Sequence, residues 1–252
     1  MRDAIAFWVC GAVLIGVFWA FCQWVPEYLA AQWRLSRSEQ PMSARLAAAR
    51  KAFRSVFGNG PPALTRRGAL FIIVGAALIV LDFLIVGPTD FGLAAQVFLL
   101  SQLALADVCQ KHDVLPDALT LPLAALGLSL GAGGILLTPA AVIWGLLIGG
   151  GVPLIGSAFF RLSNGRDGMG EGVIKHATAV GAWVGPIGSV VVLALSALYG
   201  GIVVPFFDRA RGTRPINYGP IYAACAAVVF LFQQIPPETL TWEFLRKMRE
   251  VL

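Results

Sequence analysis

The sequence predicts an all-α membrane protein that crosses the bilayer several times. Of its 252 residues, 58% are apolar and 13% are charged, and the mean hydropathy is +0.76. Soluble domains contain about 45–50% apolar and about 25% charged residues, so this composition lies far from theirs. Several apolar runs approach or exceed the roughly 20 residues that a helix needs to span a bilayer. The short alternating segments of a transmembrane β-barrel do not occur in the sequence.

Eight apolar runs, separated by charged loops or by Gly and Pro breaks, are the predicted transmembrane helices. Gly87-Pro88 ends the second run, Pro139 separates the fourth from the fifth, and Gly185-Pro186 divides the sixth from the seventh. Gly and Pro are the strongest local signals for the end of a helix. The sixth run is short for a full crossing. The eight predicted spans are 4–25, 68–87, 91–106, 118–137, 140–160, 174–185, 187–207 and 219–235.

The first span and the regions outside the spans have distinct compositions. The apolar run within 1–26 exceeds the core of about 7–15 residues that a cleavable signal has, so we expect a retained first span. Segment 27–67 is hydrophilic and rich in Arg and Lys, and apolar residues at helical spacing within it predict a helix on the membrane surface. Residues 238–252 predict a short amphipathic tail. The cysteines form no C-x-x-C pair, so no metal site of the zinc type is expected.

The distribution of basic residues predicts the orientation of the chain. Cytoplasmic loops of membrane proteins carry an excess of Lys and Arg. If 27–67 is cytoplasmic, the basic loops 107–117, 161–175 and 208–218 lie on the same side, and the turns on the other side have no Lys or Arg. Both termini are then non-cytoplasmic. The net charge of +5 reflects this orientation, and no basic stripe interleaved with aromatics indicates a nucleic-acid partner.

A glycine-rich loop follows the fifth predicted span. Residues 164–175 read NGRDGMGEGVIK, and Gly-Ala-Trp follows at 181–183. This stretch resembles the second active-site motif of the bacterial type IV prepilin peptidase family, which is written roughly as G-K-E-G-M-G-Y-G-D-F-K. In this register Val173 stands where the family has its catalytic Asp. Glu171, which glycines flank on both sides, is the acid that we expect to take its role.

The loop at 107–117, with the start of the fourth predicted span, resembles the other motif of the family. Residues 115–123, LPDALTLPL, match the stretch that follows the family's first catalytic Asp. The family has that Asp seven residues before the Pro, where this chain has Cys109. In one interpretation two residues are inserted and Asp107 remains the acid, which the apolar lead-in 103–106 favours. In the other, the register is strict and Cys109 replaces the acid.

The resemblance covers residues 88–235 and implies a function. Peptide hydrolysis by paired carboxylates needs two acids that share a proton, and glycines let an extended substrate approach. The implied protein is a multi-pass aspartic endopeptidase of the bacterial inner membrane, within the membrane domain 68–237, that cleaves the basic leader of prepilin-like or pseudopilin substrates at the cytoplasmic face. It needs no metal or cofactor, and pilus or secretion proteins are its further candidate partners. The implied residues are the acids Asp107 and Glu171, the substrate-admitting Gly168, Gly170 and Gly172, and the motif-supporting Pro116, Asp117 and Lys175.

Two alternative functions stay open. The protein could be a catalytically degenerate family member that acts as a binding or assembly factor, which Val173 and the displaced Asp107 favour. More remotely, it could be a small transporter subunit. Asp82 is an acid within a predicted span, a default functional candidate, but we expect it to be hydrogen-bonded in packing or to lie at the outer boundary. His176 is expected to face the lipid headgroups.

Overall fold

The computed structural model describes residues 2–36, 65–165, 169–200 and 218–235, together with the isolated helical residues 47 and 51. In these ranges the chain forms seven helices. They are α1 Arg2–Ser36, α2 Arg66–Ile85, α3 Asp90–His112, α4 Asp117–Ala132, α5 Pro139–Asn164, α6 Glu171–Leu198 and α7 Tyr218–Gln234. Most of the predicted surface helix, the predicted tail and residues 201–217 lie outside the described residues.

The polytopic membrane character is confirmed. Five helices are long and apolar enough to cross a bilayer: Asp3–Val25 within α1, and α2, α3, α5 and α6. The helices α4 and α7 are apolar but shorter, with 16 and 17 residues. The number of crossings and the location of the termini stay predictions.

Two helices end at places other than those predicted. Helix α3 continues through Asp107 to His112, where we expected a loop, because Lys111 forms an ion pair with Asp107 one turn earlier. It ends at Asp113, which has a left-handed backbone with φ 54°. Helix α4 stops at Ala132 rather than near 137, because Gly134 with φ 67° follows it and Ile135 donates its N–H to the Leu130 carbonyl.

Helix α6 consists of two arms that meet at Gly185. This residue has φ 69° and ψ −172°, which interrupts the helix just before Pro186. Val173 and Ala197 line the same cavity of about 310 Å³, whereas a straight helix would separate them by about 36 Å. The chain therefore reverses direction at Gly185, as the predicted division between the sixth and seventh runs requires.

Glycines allow α5 and the first arm of α6 to pack backbone against backbone. A Cβ at Gly145 would collide with the Gly181 carbonyl, and one at Gly149 would collide with the Ala177 carbonyl. Such close approach through small residues is typical of helices packed in lipid. Because residue numbers rise on α5 as they fall on α6, the two helices are antiparallel.

The aromatic core joins the remaining helices around α6. Phe98 of α3 lies with its ring centroid 5.0 Å from that of Trp183 on α6 and 4.6 Å from that of Phe230 on α7. The Trp183 indole N–H donates to the Leu123 carbonyl of α4 at 2.8 Å. Helix α3 therefore faces the first arm of α6 across the bundle, with α7 packed against both.

Candidate functional site

The two motif segments meet at one end of the bundle. A Cβ built on Gly172 would lie 3.1 Å from the Leu115 Cβ, so the loop before α4 touches the start of α6. Lys175 donates to Asp117 Oδ2 at 2.9 Å and forms an ion pair with Glu171 Oε1 at 2.8 Å. Both carboxylates occupy the first turn of their helices, where the helix dipole favours negative charge. The two motif loops, which the sequence predicts to lie on the same side of the membrane, therefore meet at one end of the bundle.

The other predicted acid has a different environment. Asp107 forms an ion pair with Lys111 on the same helix, and its side chain is 18% exposed. The Cys22 thiol of α1 lies beside its carboxylate. The structure thus brings Asp107 to Lys111 and α1, whereas it brings Glu171 to Lys175 and α4. The assignment of Asp107 and Glu171 as an acid pair stays a prediction.

In the strict register of the resemblance, Cys109 and Val173 occupy the positions of the two catalytic acids. Cys109 is buried in the apolar core, and Val173 is half-buried and packs against that core. On a helix, two residues span about 200° of rotation, so Asp107 and Cys109 point to nearly opposite sides of α3. Helix α3 is continuous through both residues.

The predicted substrate-admitting glycines differ in their surroundings. Gly170 precedes the first turn of α6, and a Cβ added there would meet no atom within 4 Å. Gly172 is close-packed against Leu115, so its small size serves the contact between the two loops. Gly168 lies outside the described residues. Pro116 precedes α4 and accepts backbone hydrogen bonds from Leu119 and Thr120 through its carbonyl.

A buried polar pair lies deeper in the bundle, and the prediction that His176 faces headgroups is wrong. His176 is fully buried, with its Nε2 2.8 Å from the Gln102 Oε1 of α3. Because an amide oxygen only accepts, Nε2 carries the hydrogen, and Nδ1 is an acceptor with no hydrogen-bond partner. The His176 ring meets Tyr222 of α7 edge-on at 5.3 Å.

Helical spacing in the sequence relates each member of this pair to a motif position on its own helix. Gln102 lies seven residues before Cys109, which is two turns along one face of α3. His176 lies three residues after Val173, on one face of α6. The polar pair therefore forms a layer beneath the two positions at which the family motifs carry acids.

Asp82 also differs from the expectation. It is fully buried on α2, and neither carboxylate oxygen has a hydrogen-bond partner. The prediction of hydrogen-bonded packing is therefore wrong for its side chain. Asp82 precedes the turn at 86–89, which connects α2 to the N-terminal end of α3, whereas the motif segment follows the C-terminal end of α3. It is therefore remote from the candidate site.

In a comparison with known protein families, residues 94–204 match the type IV leader peptidase family. The prepilin leader peptidase/N-methyltransferase of Burkholderia pseudomallei (strain 1026b) is 32% identical over 149 residues, which are 58% of this chain and 48% of that protein. The protein of the same name from Xanthomonas campestris pv. campestris is 33% identical over 148 residues, or 56% and 50%. That from Aeromonas salmonicida is 32% identical over 176 residues, or 68% and 60%.

The chain spans about half the length of the Burkholderia pseudomallei and Xanthomonas campestris relatives. No solved structure matches it significantly.

Proposed function

This chain belongs to the type IV leader peptidase family through residues 94–204, and from that premise we propose that it is a catalytically degenerate member. It binds the leader of a prepilin-like substrate at the face where the two motif segments meet, and it does not cut the leader. In a bacterial inner membrane such a protein acts as a binding or assembly factor of a pilus or secretion system.

The environment of positions 109 and 173 carries this proposal. Cys109 and Val173 both pack into the apolar core, and neither side chain performs the acid–base work of a carboxyl pair. Asp107 and Cys109 point to nearly opposite sides of the continuous helix α3, so only one of them can face the site of a family acid, and Cys109 is the one that keeps the motif spacing.

The partners of the remaining acids support the same conclusion. A peptidase dyad needs two carboxyls close enough to share one proton. Asp107 has the Lys111 ammonium as its partner, and Glu171 has that of Lys175. The two acids thus pair with different cations, and Glu171 shares its cation with Asp117, which is the arrangement of structural ion pairs.

The exposed carboxylates provide a reason for binding a basic leader. Asp117 and Glu171 have side chains that are 53% and 80% exposed, and they share the single cation of Lys175. This group of three has a net charge of −1, which attracts a basic peptide and makes its association sensitive to salt.

The test uses the purified protein in detergent with a fluorescent peptide that contains a prepilin leader and the first residues after it. Anisotropy measures binding, and mass spectrometry measures cleavage. We expect salt-sensitive binding that the double substitution Asp117→Asn/Glu171→Gln weakens, together with an intact peptide. Absence of binding would overturn the proposal.

A second candidate is the peptidase that uses Asp107 and Glu171, which the meeting of the two motif segments favours. The same assay separates it from the first. Cleavage by the wild-type protein that Asp107→Asn and Glu171→Gln each abolish would establish the peptidase and contradict the degenerate assignment.

A further inference from the structure

Two buried polar side chains lie toward the end of the bundle that is opposite the motif segments. Asp82 of α2 is fully buried, and neither of its carboxylate oxygens has a hydrogen-bond partner. Gln96 of α3 is fully buried as well. Its Nε2 donates to the Phe7 carbonyl of α1 at 3.4 Å, whereas its Oε1 has no partner. Three acceptor oxygens are therefore buried here without a donor from the described residues.

The register of the helices brings Asp82 and Gln96 to one level of the bundle. A Cβ added to Gly11 of α1 would lie 2.8 Å from Ile79 Cδ1 and 3.4 Å from Gln96 Oε1, so α1, α2 and α3 meet at this point. Asp82 follows Ile79 by three residues, which is about 4.5 Å along the same buried face of α2. The Asp82 carboxyl is thus within the reach of a glutamine side chain from Gln96.

Helix α1 encloses these side chains from the third side. The Phe7 ring lies with its centroid 5.5 Å from that of Phe83, the neighbour of Asp82. A Cβ added to Gly92 of α3 would lie 3.1 Å from the same Phe7 ring. We name the group formed by the Asp82 carboxyl and the Gln96 amide the Asp82 site. The other titratable side chains described at this end of α1, α2 and α3 are exposed and do not face it: Asp3, Cys10 and Asp90.

The chemistry of the Asp82 site selects its ligand. Three acceptor oxygens need a donor or a cation, and an ionised carboxylate without a partner in apolar surroundings costs far more free energy than a neutral acid. Asp82 and Gln96 are both 0% exposed, so neither borders a space that holds a water molecule. A calcium ion takes six to eight oxygens and a magnesium ion takes an octahedral set. A proton needs no space and only two oxygens.

We propose that the Asp82 site binds one proton, so that Asp82 is a neutral carboxylic acid whose O–H donates to Gln96 Oε1. The bound proton supplies the donor that the amide oxygen needs, and the site then has no net charge within the membrane. Gln96 lies in the region that matches the family, 94–204, whereas α1 and α2 precede that region. The proton therefore joins these two helices to the family region. This site is independent of leader binding.

The first test detects the proton by infrared spectroscopy of the full chain in lipid at neutral pH. A carboxylic acid has a C=O stretching band that is separate from the bands of carboxylates and amides. We expect this band in the wild-type protein and its loss in Asp82→Asn. The matched control Asp90→Asn removes an exposed carboxyl of α3 and should keep the band. Gln96→Met, which lacks the amide oxygen, should shift it. Identical spectra of the wild type and Asp82→Asn in this region would overturn the proposal.

The second test separates a proton from an unpaired charge through unfolding in detergent mixtures. Asp82→Asn has the shape of the neutral acid, and its N–H replaces the O–H as a donor, so its unfolding equilibrium constant should stay close to that of the wild type. Asp82→Leu provides no donor and should raise this constant about fivefold or more, the effect of one unsatisfied acceptor. A strong stabilisation by Asp82→Asn would indicate a buried charge, and equal effects of the two variants would remove the role of the donor. Either result contradicts the proposal.

A metal cation at the same oxygens is distinguished by its salt dependence. Exchange of Na⁺ for choline at constant ionic strength should leave the thermal midpoint of the wild type unchanged, because a proton site does not need the metal ion. A midpoint that rises with Na⁺ in the wild type and not in Asp82→Asn would assign the site to a cation and overturn the proton assignment.

Discussion

Cys109 and Val173 are the residues that distinguish this chain from the active motifs that it resembles. Both are packed against the apolar core, one on α3 and one on α6, which face each other across the bundle. Under the degenerate-member proposal, apolar packing at these two positions replaces the acid pair of the family. The fold around them persists because core packing depends on volume and apolarity rather than on catalysis.

Restoring two carboxyls at these positions should create peptidase activity. We expect Cys109→Asp/Val173→Asp to cleave a leader-bearing peptide at a rate roughly 100-fold or more above background, the size of general acid–base catalysis. Mass spectrometry of the products measures this. The matched control is Cys109→Asn/Val173→Asn, which has similar size and polarity but no ionisable group. Equal rates for the two variants would contradict the prediction.

The buried pair Gln102 and His176 should contribute to stability as a unit. Gln102→Leu leaves the His176 Nε2–H without an acceptor, which should lower the free energy of unfolding by about 1–3 kcal/mol. His176→Phe in that background should restore part of the loss, because both polar groups are then absent. Unfolding in detergent mixtures, analysed as a double-mutant cycle, measures a coupling of about 0.6 kcal/mol or more. Additive effects of the two substitutions would contradict the pairing.

The helices are positioned by their breaks and by their small residues. The reversal at Gly185 lets the two arms of α6 line one cavity. The backbone conformation there, φ 69° and ψ −172°, lies in a region that is essentially restricted to glycine. The Gly172–Leu115 contact and the Lys175–Asp117 ion pair hold the start of α6 near the start of α4.

The contact between α5 and α6 should tolerate no side chain at Gly145. In Gly145→Ala the new Cβ would collide with the Gly181 carbonyl and with the Gly185 backbone, and the helices must move apart. We expect a loss of about 1–3 kcal/mol or more, seen as a lower thermal midpoint in detergent. The control, Gly151→Ala, meets open space on the same helix. An unchanged midpoint for Gly145→Ala would show that the helices are not packed in this way.

At the scale of the whole molecule, both motif segments lie at one end of the bundle, and the turn at 133–138 lies at the other end of α4 and α5. The basic-residue pattern predicts that the motif end is cytoplasmic. A membrane-impermeant maleimide tests both statements in a variant whose native cysteines are replaced by Ala. Val114→Cys and Gly170→Cys should react only in inverted vesicles, and Ile135→Cys only in spheroplasts. Labelling of positions 114 and 135 from one side would contradict the topology.

The sequence by itself determined the membrane class, most of the helices and the family, because apolar run length, Gly and Pro breaks and loop motifs are local signals. The break at Gly185 was predictable for this reason, and so was the placement of the two motif loops at the same end of the spans. The ends of α3 and α4 were not predicted correctly. The ion pair between Asp107 and Lys111 extends α3, and the left-handed backbone of Gly134 ends α4 early.

Only the tertiary structure decided the environment of individual polar side chains. The burial of His176 and Asp82, and the cavity that both arms of α6 line, depend on which faces of distant helices meet. Such contacts join residues as far apart as Gln102 and His176, and spacing along one helix contains no information about the opposite helix. The absence of an acid at position 173 was visible in the sequence, whereas the position of Asp107 beside Cys22 of α1 required the packed bundle.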